Sequence, residues 1–128
     1  MNYEVIFESF TQRHFIKSFA KKYKGAWNNT LKGLVVEFSF FDLLFLKSTA
    51  ETIVDSKEIK ICKTEFKISG TQESRHGSGN RCIVALNSQK AIVYVLLVYS
   101  KNDIRAVNET AEWKKIIKEN YPEYRGLL

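Results

Sequence analysis

Two apolar segments joined by four polar residues constrain the fold of this 128-residue chain more than any other feature. The segments are NRCIVAL (80–86) and AIVYVLLVY (91–99), and NSQK (87–90) connects them. Both are rich in β-branched residues and are apolar at nearly every position, which is typical of central strands that are covered on both faces. Nine apolar residues are too few to span a bilayer as a helix. The two segments therefore predict a pair of buried strands at the centre of a sheet.

The rest of the chain supplies two more predicted strands and three predicted helices. YEVIF (3–7) reads as a short first strand, and apolar residues then recur at helical spacing after Ser9 and again from Ala26. A last helix is predicted to begin after Asn108, a residue that favours the N-cap position. The segment FFDLLFL (40–46) is apolar nearly all round and is expected to be buried.

In the segment EIKICKTEFKIS (58–69), charged residues from Lys63 to Lys67 alternate with the less polar residues from Cys62 to Ile68. This alternation gives one polar and one largely apolar face and predicts a further strand. Ile59 and Ile61 fall on the polar face, which indicates a bulge, an edge twist or burial of both faces. The predicted order is β-α-α-β-β-β-α, an α+β fold in which an antiparallel-rich sheet packs on helices, and we expect residues 1–128 to form a single domain.

The positive charge of the chain is concentrated in its sheet-forming half. The whole chain carries +6, and residues 57–101 contain eight basic and three acidic residues. Such a surface suits a polyanion or an acidic protein, although a solvated outer sheet face explains the same lysines. Cys62 and Cys82 lack metal-ligand spacing and are expected to be core residues in a reducing compartment. The N-terminus has no signal-peptide pattern, so we expect a cytoplasmic protein.

The loop SRHGSGN (74–80) combines two glycines with Arg75 and His76, and Arg81 follows at the entrance of an apolar strand. The spacing is not that of a P-loop, and the glycines lead into a strand rather than a helix. An arginine at the start of a core strand faces a carboxylate, a phosphate or solvent. The loop therefore predicts a mobile element that delivers Arg81 to the basic sheet face.

The segment GSGNRCIVALNSQKAIVYVLLVYSKNDI (77–104) resembles the C-terminal half of the RelE/HigB-like toxins of type II toxin–antitoxin modules. The shared features are a Gly/Ser-rich loop, an arginine entering a core strand, and an apolar-Tyr-x-Lys strand end before a last helix. The resemblance implies a RelE/ParE-like fold and a toxin that inhibits translation by cutting mRNA on the ribosome. It also implies a cognate antitoxin as partner, cleavage without a metal or other cofactor, and contact of the lysine-rich first helix with rRNA.

The resemblance also suggests roles for particular residues. Metal-free RNA cleavage needs a base for the ribose 2′-OH, a cation for the phosphate and an acid for the 5′-oxygen. Arg81 matches the family's strand-entry arginine and would bind the scissile phosphate. Tyr99 and Lys101 match the strand end, where Tyr99 would stack on a base or help in proton transfer and Lys101 would contact phosphate. His76 is a candidate proton carrier, because imidazole exchanges protons near neutral pH. The basic residues expected to bind RNA phosphates are Lys63, Lys67 and Arg75.

Two other functions fit the same sequence. ParE-type toxins share the fold but poison DNA gyrase and cut no RNA, so the fold does not decide the chemistry. A degenerate relative would retain the fold as an RNA-binding or partner-binding module, because the sequence contains no unmistakable base.

Overall fold

A computed structural model describes residues 2–104 and 108–128, and it contains a five-stranded sheet in the order β1-β5-β4-β3-β2. β1 pairs with β5 in parallel, and every other neighbouring pair is antiparallel. The strands are β1 (Glu4–Phe7), β2 (Ala50–Asp55), β3 (Ile59–Phe66), β4 (Asn80–Asn87) and β5 (Ile92–Ser100).

Helices occupy the long connection between β1 and β2 and the segment after β5. The first helix, α1 (Ser9–Thr11), continues through a π-helical segment (Gln12–Ile16) into α2 (Lys17–Lys22). The later helices are α3 (Ala26–Ser39), α4 (Asp42–Leu46) and α5 (Glu109–Asn120), and a 3₁₀ helix (Pro122–Leu127) follows α5. The predicted α+β class and antiparallel-rich sheet are confirmed. The predicted order is wrong in omitting β2, and α4 is a separate helix.

The central strands are covered on both sides. One cluster packs β-strand residues such as Val84 and Val95 against Trp27 and Phe38 of α3. A second cluster packs the opposite face against α5 and the residues that follow it. Residues 81–86 and 95–99 are buried as a result, which confirms the prediction of two central strands covered on both faces.

Burial on both faces explains the irregular pattern of β3. Cys62, Thr64 and Phe66 face the α3 side, whereas Ile61 lies under α5 in the second cluster. Lys63 shares the face of Ile61, and its Nζ lies 4.0 Å from a carboxylate oxygen of Glu109, the first residue of α5. The face is therefore apolar where α5 covers it and charged where α5 begins.

The expectation that residues 40–46 are buried is wrong for part of the segment. Phe41 and Leu44 are buried, but Phe40, Leu43 and Leu46 are exposed. The chain turns between α3 and α4, so only one side of the short helix α4 reaches the core.

None of the helices in the described part of the chain is both long and apolar enough for a membrane span. Within residues 2–104 and 108–128 we also find no group of three or more His, Cys, Asp or Glu side chains that could hold a metal ion.

Candidate active site

A row of three polar side chains crosses the sheet where the α5-covered face becomes charged. The strand register places Glu65 of β3 opposite Arg81 of β4, and Arg81 opposite Tyr99 of β5. Residues paired in this way on neighbouring strands have side chains on the same face, within contact distance. The register therefore gathers three ionisable groups from three strands.

Arg81 is the most deeply buried charge of this row, with 5% of its side chain exposed. Its Nη1 donates a hydrogen bond to the carbonyl oxygen of Asn80 at 3.2 Å and lies 3.8 Å from Oε2 of Glu65. Its Nε is buried and has no hydrogen-bond partner among the described residues. Because a buried cation needs compensation, the nearby Glu65 carboxylate is the group that balances it.

Glu65 also contacts His76 from the loop before β4. Nδ1 of His76 lies 2.9 Å from Oε2 and 3.1 Å from Oε1 of Glu65, while 84% of the His76 side chain is exposed. A carboxylate at one ring nitrogen favours the tautomer with hydrogen on Nδ1, which leaves Nε2 able to accept a proton. This arrangement is that of a base oriented by an acid.

Tyr99 is fully buried, and its hydroxyl donates a 2.7 Å hydrogen bond to Oε2 of Glu109. The same carboxylate oxygen lies 4.0 Å from Nζ of Lys63, so Glu109 connects Tyr99 to the charged end of β3. Burial, together with the hydrogen bond to Glu109, raises the pKa of Tyr99 above its ordinary value. The buried ring presents no open face on which an RNA base could stack.

The raised pKa of Tyr99 predicts a loss of stability at alkaline pH. An unfolded tyrosine loses its proton near pH 10, whereas folded Tyr99 retains it, so its contribution is complete below about pH 10 and falls as the pH rises further. Because Tyr99→Phe removes the hydrogen bond to Glu109, its free energy of unfolding at neutral pH should be about 1 kcal/mol lower than that of wild type. Above pH 10 the free energy of unfolding of the variant should decline less steeply than that of wild type. Urea denaturation over that pH range measures both effects, and parallel curves would contradict the prediction.

A cavity of about 390 Å³ opens beside the Glu65–His76 pair and is also lined by Glu51, Lys63 and Arg75. Arg75 forms a two-point ion pair with Glu37 of α3, with Nη1 3.0 Å from Oε2. This hydrogen-bonded pair raises the pKa of Arg75. The wall of the cavity thus contains His76, Lys63 and Arg75. Its two acids are Glu65, which contacts His76, and Glu51.

The two remaining predicted residues lie outside this cavity. Lys101 is exposed after β5, and its backbone N–H donates to the carbonyl oxygen of Gly79 at 2.8 Å. Gly79 has φ +76°, and a side chain there would meet Cγ of Lys101 at 3.2 Å, so glycine suits both the backbone and the space. Lys67 is exposed just after the end of β3. The structure thus joins Arg81 with His76 through Glu65, and Tyr99 with Lys63 through Glu109.

Comparison with known proteins gives little to identify the chain. No family model matches it, and no curated protein matches it. Among solved structures, the crystal structure of an archaeal RelE–RelB complex from Pyrococcus horikoshii OT3 matches 83% of this chain and 100% of that chain, with 15% identity and a TM-score of 0.47. At that identity and TM-score the likeness assigns neither a family nor an activity.

Glu65 and Glu109 are the two site residues that sequence reasoning missed. Glu65 was counted only among the acids that offset the basic charge of residues 57–101, and Glu109 only as part of the last predicted helix. Glu65 shares the strand face of Lys63, and Glu109 follows the helix cap directly, so alternation and capping could have placed each near the site. The strand register was the missing information.

Proposed function

We propose that this protein is the toxin of a type II toxin–antitoxin module, a single RelE/ParE-like domain that cleaves mRNA on the ribosome in the cytoplasm. The observation that carries the proposal is the Glu65–His76 pair at the edge of a cavity that Lys63 and Arg75 also line. The resemblance of residues 77–104 to RelE/HigB-like toxins supports the same conclusion. A cognate antitoxin, mRNA and the ribosome are the partners it implies.

His76 is the base in this proposal, and Glu65 is its positioning residue. Nε2 of His76 takes the proton of a ribose 2′-OH, and the resulting oxygen attacks the adjacent phosphorus. The bond to the 5′-oxygen breaks as a 2′,3′-cyclic phosphate forms. Glu65 stabilises the imidazolium that His76 becomes.

Lys63 is the proposed acid and phosphate ligand. Its side chain is 20% exposed and lines the cavity, so its ammonium can approach the leaving group and give the 5′-oxygen its proton. Proton exchange with solvent then restores both His76 and Lys63. The proposal assigns phosphates farther along the RNA strand to Lys67, Arg75 and Lys101.

Arg81 has a supporting role in this scheme. With 5% of its side chain exposed, it reaches a phosphate only if the surrounding side chains rearrange, but its charge already lies 3.8 Å from the Glu65 carboxylate. It therefore attracts the Glu65 carboxylate and holds it in place. Tyr99 does the same for Glu109 through its hydroxyl.

Mapping of mRNA 5′ ends after expression in growing cells tests the proposal. New ends should appear inside translated reading frames and should be absent from the same message when its start codon is removed. His76→Ala should abolish the new ends, whereas His14→Ala, which changes an exposed histidine of the π-helical segment, should retain them. Growth arrest with intact mRNA, or trapped gyrase, would contradict the nuclease proposal.

A further inference from the structure

The helices α3 and α4 carry an apolar surface that the folded chain leaves uncovered. Within the described residues, the large hydrophobic side chains that are exposed all lie between residues 35 and 46, and Val36 and Leu46 reach 62% and 81% exposure. A groove of about 370 Å³ runs beside them and is lined by Val36, Phe40, Leu43 and Lys47. We call this surface the α3–α4 groove. Clustered exposed apolar residues mark an interaction site far more often than scattered ones do.

Gly33 provides an independent observation on the same surface. It lies inside α3, three residues before Val36 and therefore on the same side of the helix. A Cβ added at Gly33 would have nothing within 4 Å, and its backbone is not in the left-handed region. Glycine weakens a helix interior relative to alanine, so folding gives no reason for it here. Close approach of another backbone does give a reason.

The charges at the margin of the groove indicate what kind of molecule covers it. Glu37 and Arg75 line the groove as an ion pair. Lys32 lies one helical turn before Val36, Lys47 lines the groove, and neither lysine forms an ion pair with an acid in residues 2–104 or 108–128. A second copy of this chain carries +6 and would bring further positive charge to these lysines. A partner with acidic residues beside its apolar stripe complements both features.

We propose that the α3–α4 groove binds an amphipathic helix of a partner protein, with its apolar stripe against Val36, Phe40 and Leu46 and its acidic residues against Lys32 and Lys47. Gly33 allows the two helix backbones to approach closely. The groove meets the candidate active site at Thr49 and Arg75, which line both cavities. The proposal concerns this surface alone and does not depend on the nuclease chemistry.

Calorimetric titration with two synthetic peptides tests the proposal. Both peptides are about 18 residues long, roughly five helical turns, with leucines at i, i+3, i+4 and i+7. One carries glutamates on its remaining exposed positions and the other carries lysines. The glutamate peptide should bind at least about tenfold more tightly, and Leu46→Glu should weaken its binding about tenfold or more. Ser18→Glu adds the same charge on exposed α2 and should leave the affinity unchanged.

Gly33→Ala separates binding from folding. The variant should raise the urea concentration at which half of the free protein is unfolded. It should still weaken binding of the glutamate peptide, because the added methyl group lies between the two helices. Equal affinity for both peptides would overturn the proposal. Concentration-dependent dimers in sedimentation velocity that Val36→Glu abolishes would overturn it in favour of a second copy. Binding to phosphatidylserine vesicles that Leu46→Glu abolishes would overturn it in favour of a membrane surface.

Discussion

Replacing His76 with alanine is expected to slow RNA cleavage by about 10²- to 10⁴-fold. The imidazole of His76 is exposed in the cavity wall, and the Glu65 carboxylate orients it, with Nδ1 2.9 Å from Oε2 of Glu65. Because 84% of the side chain is exposed, its removal should leave the fold intact. Single-turnover cleavage of a defined message in a purified translation system measures the rate, and circular dichroism checks the fold.

Glu65→Gln is the matched variant for this prediction. It retains a hydrogen-bonding group beside Nδ1 but loses the charge that stabilises the imidazolium, so the rate should fall by less than it does in His76→Ala. The double variant should be little slower than His76→Ala alone, because the two residues act as a unit. An unchanged rate in His76→Ala would remove the histidine from the mechanism, and additive losses would show that Glu65 acts separately.

The strands that sequence analysis found are those with a strong apolar signal. The runs at 80–86 and 91–99 are buried over most of their length and cannot be mistaken for loops. β2 was missed because Glu51 and Thr52 are exposed and interrupt its apolar pattern, whereas the other edge strand, β1, carries Val5, Ile6 and Phe7 in succession.

The site was predictable by residue type but not by pairing. Arg81 and His76 were both recognised from the sequence, yet the group that joins them was not. The pairing depends on the register that places Glu65 opposite Arg81, and a shift of one residue would send Glu65 to the other face of the sheet. Alternation within one strand does not determine its register with the next.

Arg81→Ala is expected to lower the free energy of unfolding by about 3 kcal/mol, near the lower end of the range for breaking a buried ion pair. The loss combines a cavity at a side chain that is 5% exposed with a Glu65 carboxylate that has lost its nearest buried cation. The lower end applies because 27% of the Glu65 side chain is exposed and His76 remains as a partner. Urea denaturation at neutral pH measures the change.

Arg81→Met separates packing from charge, because methionine fills most of the space and carries no buried Nε without a partner. It should be more stable than Arg81→Ala, and combining it with Glu65→Gln should recover part of the remaining loss, since the neutral amide no longer needs a cation. If Arg81→Met is stable and still loses RNA cleavage, the charge of Arg81 serves the chemistry through Glu65. If Arg81→Met and Arg81→Ala are equally stable and both cleave RNA at the wild-type rate, Arg81 contributes neither to packing nor to the site.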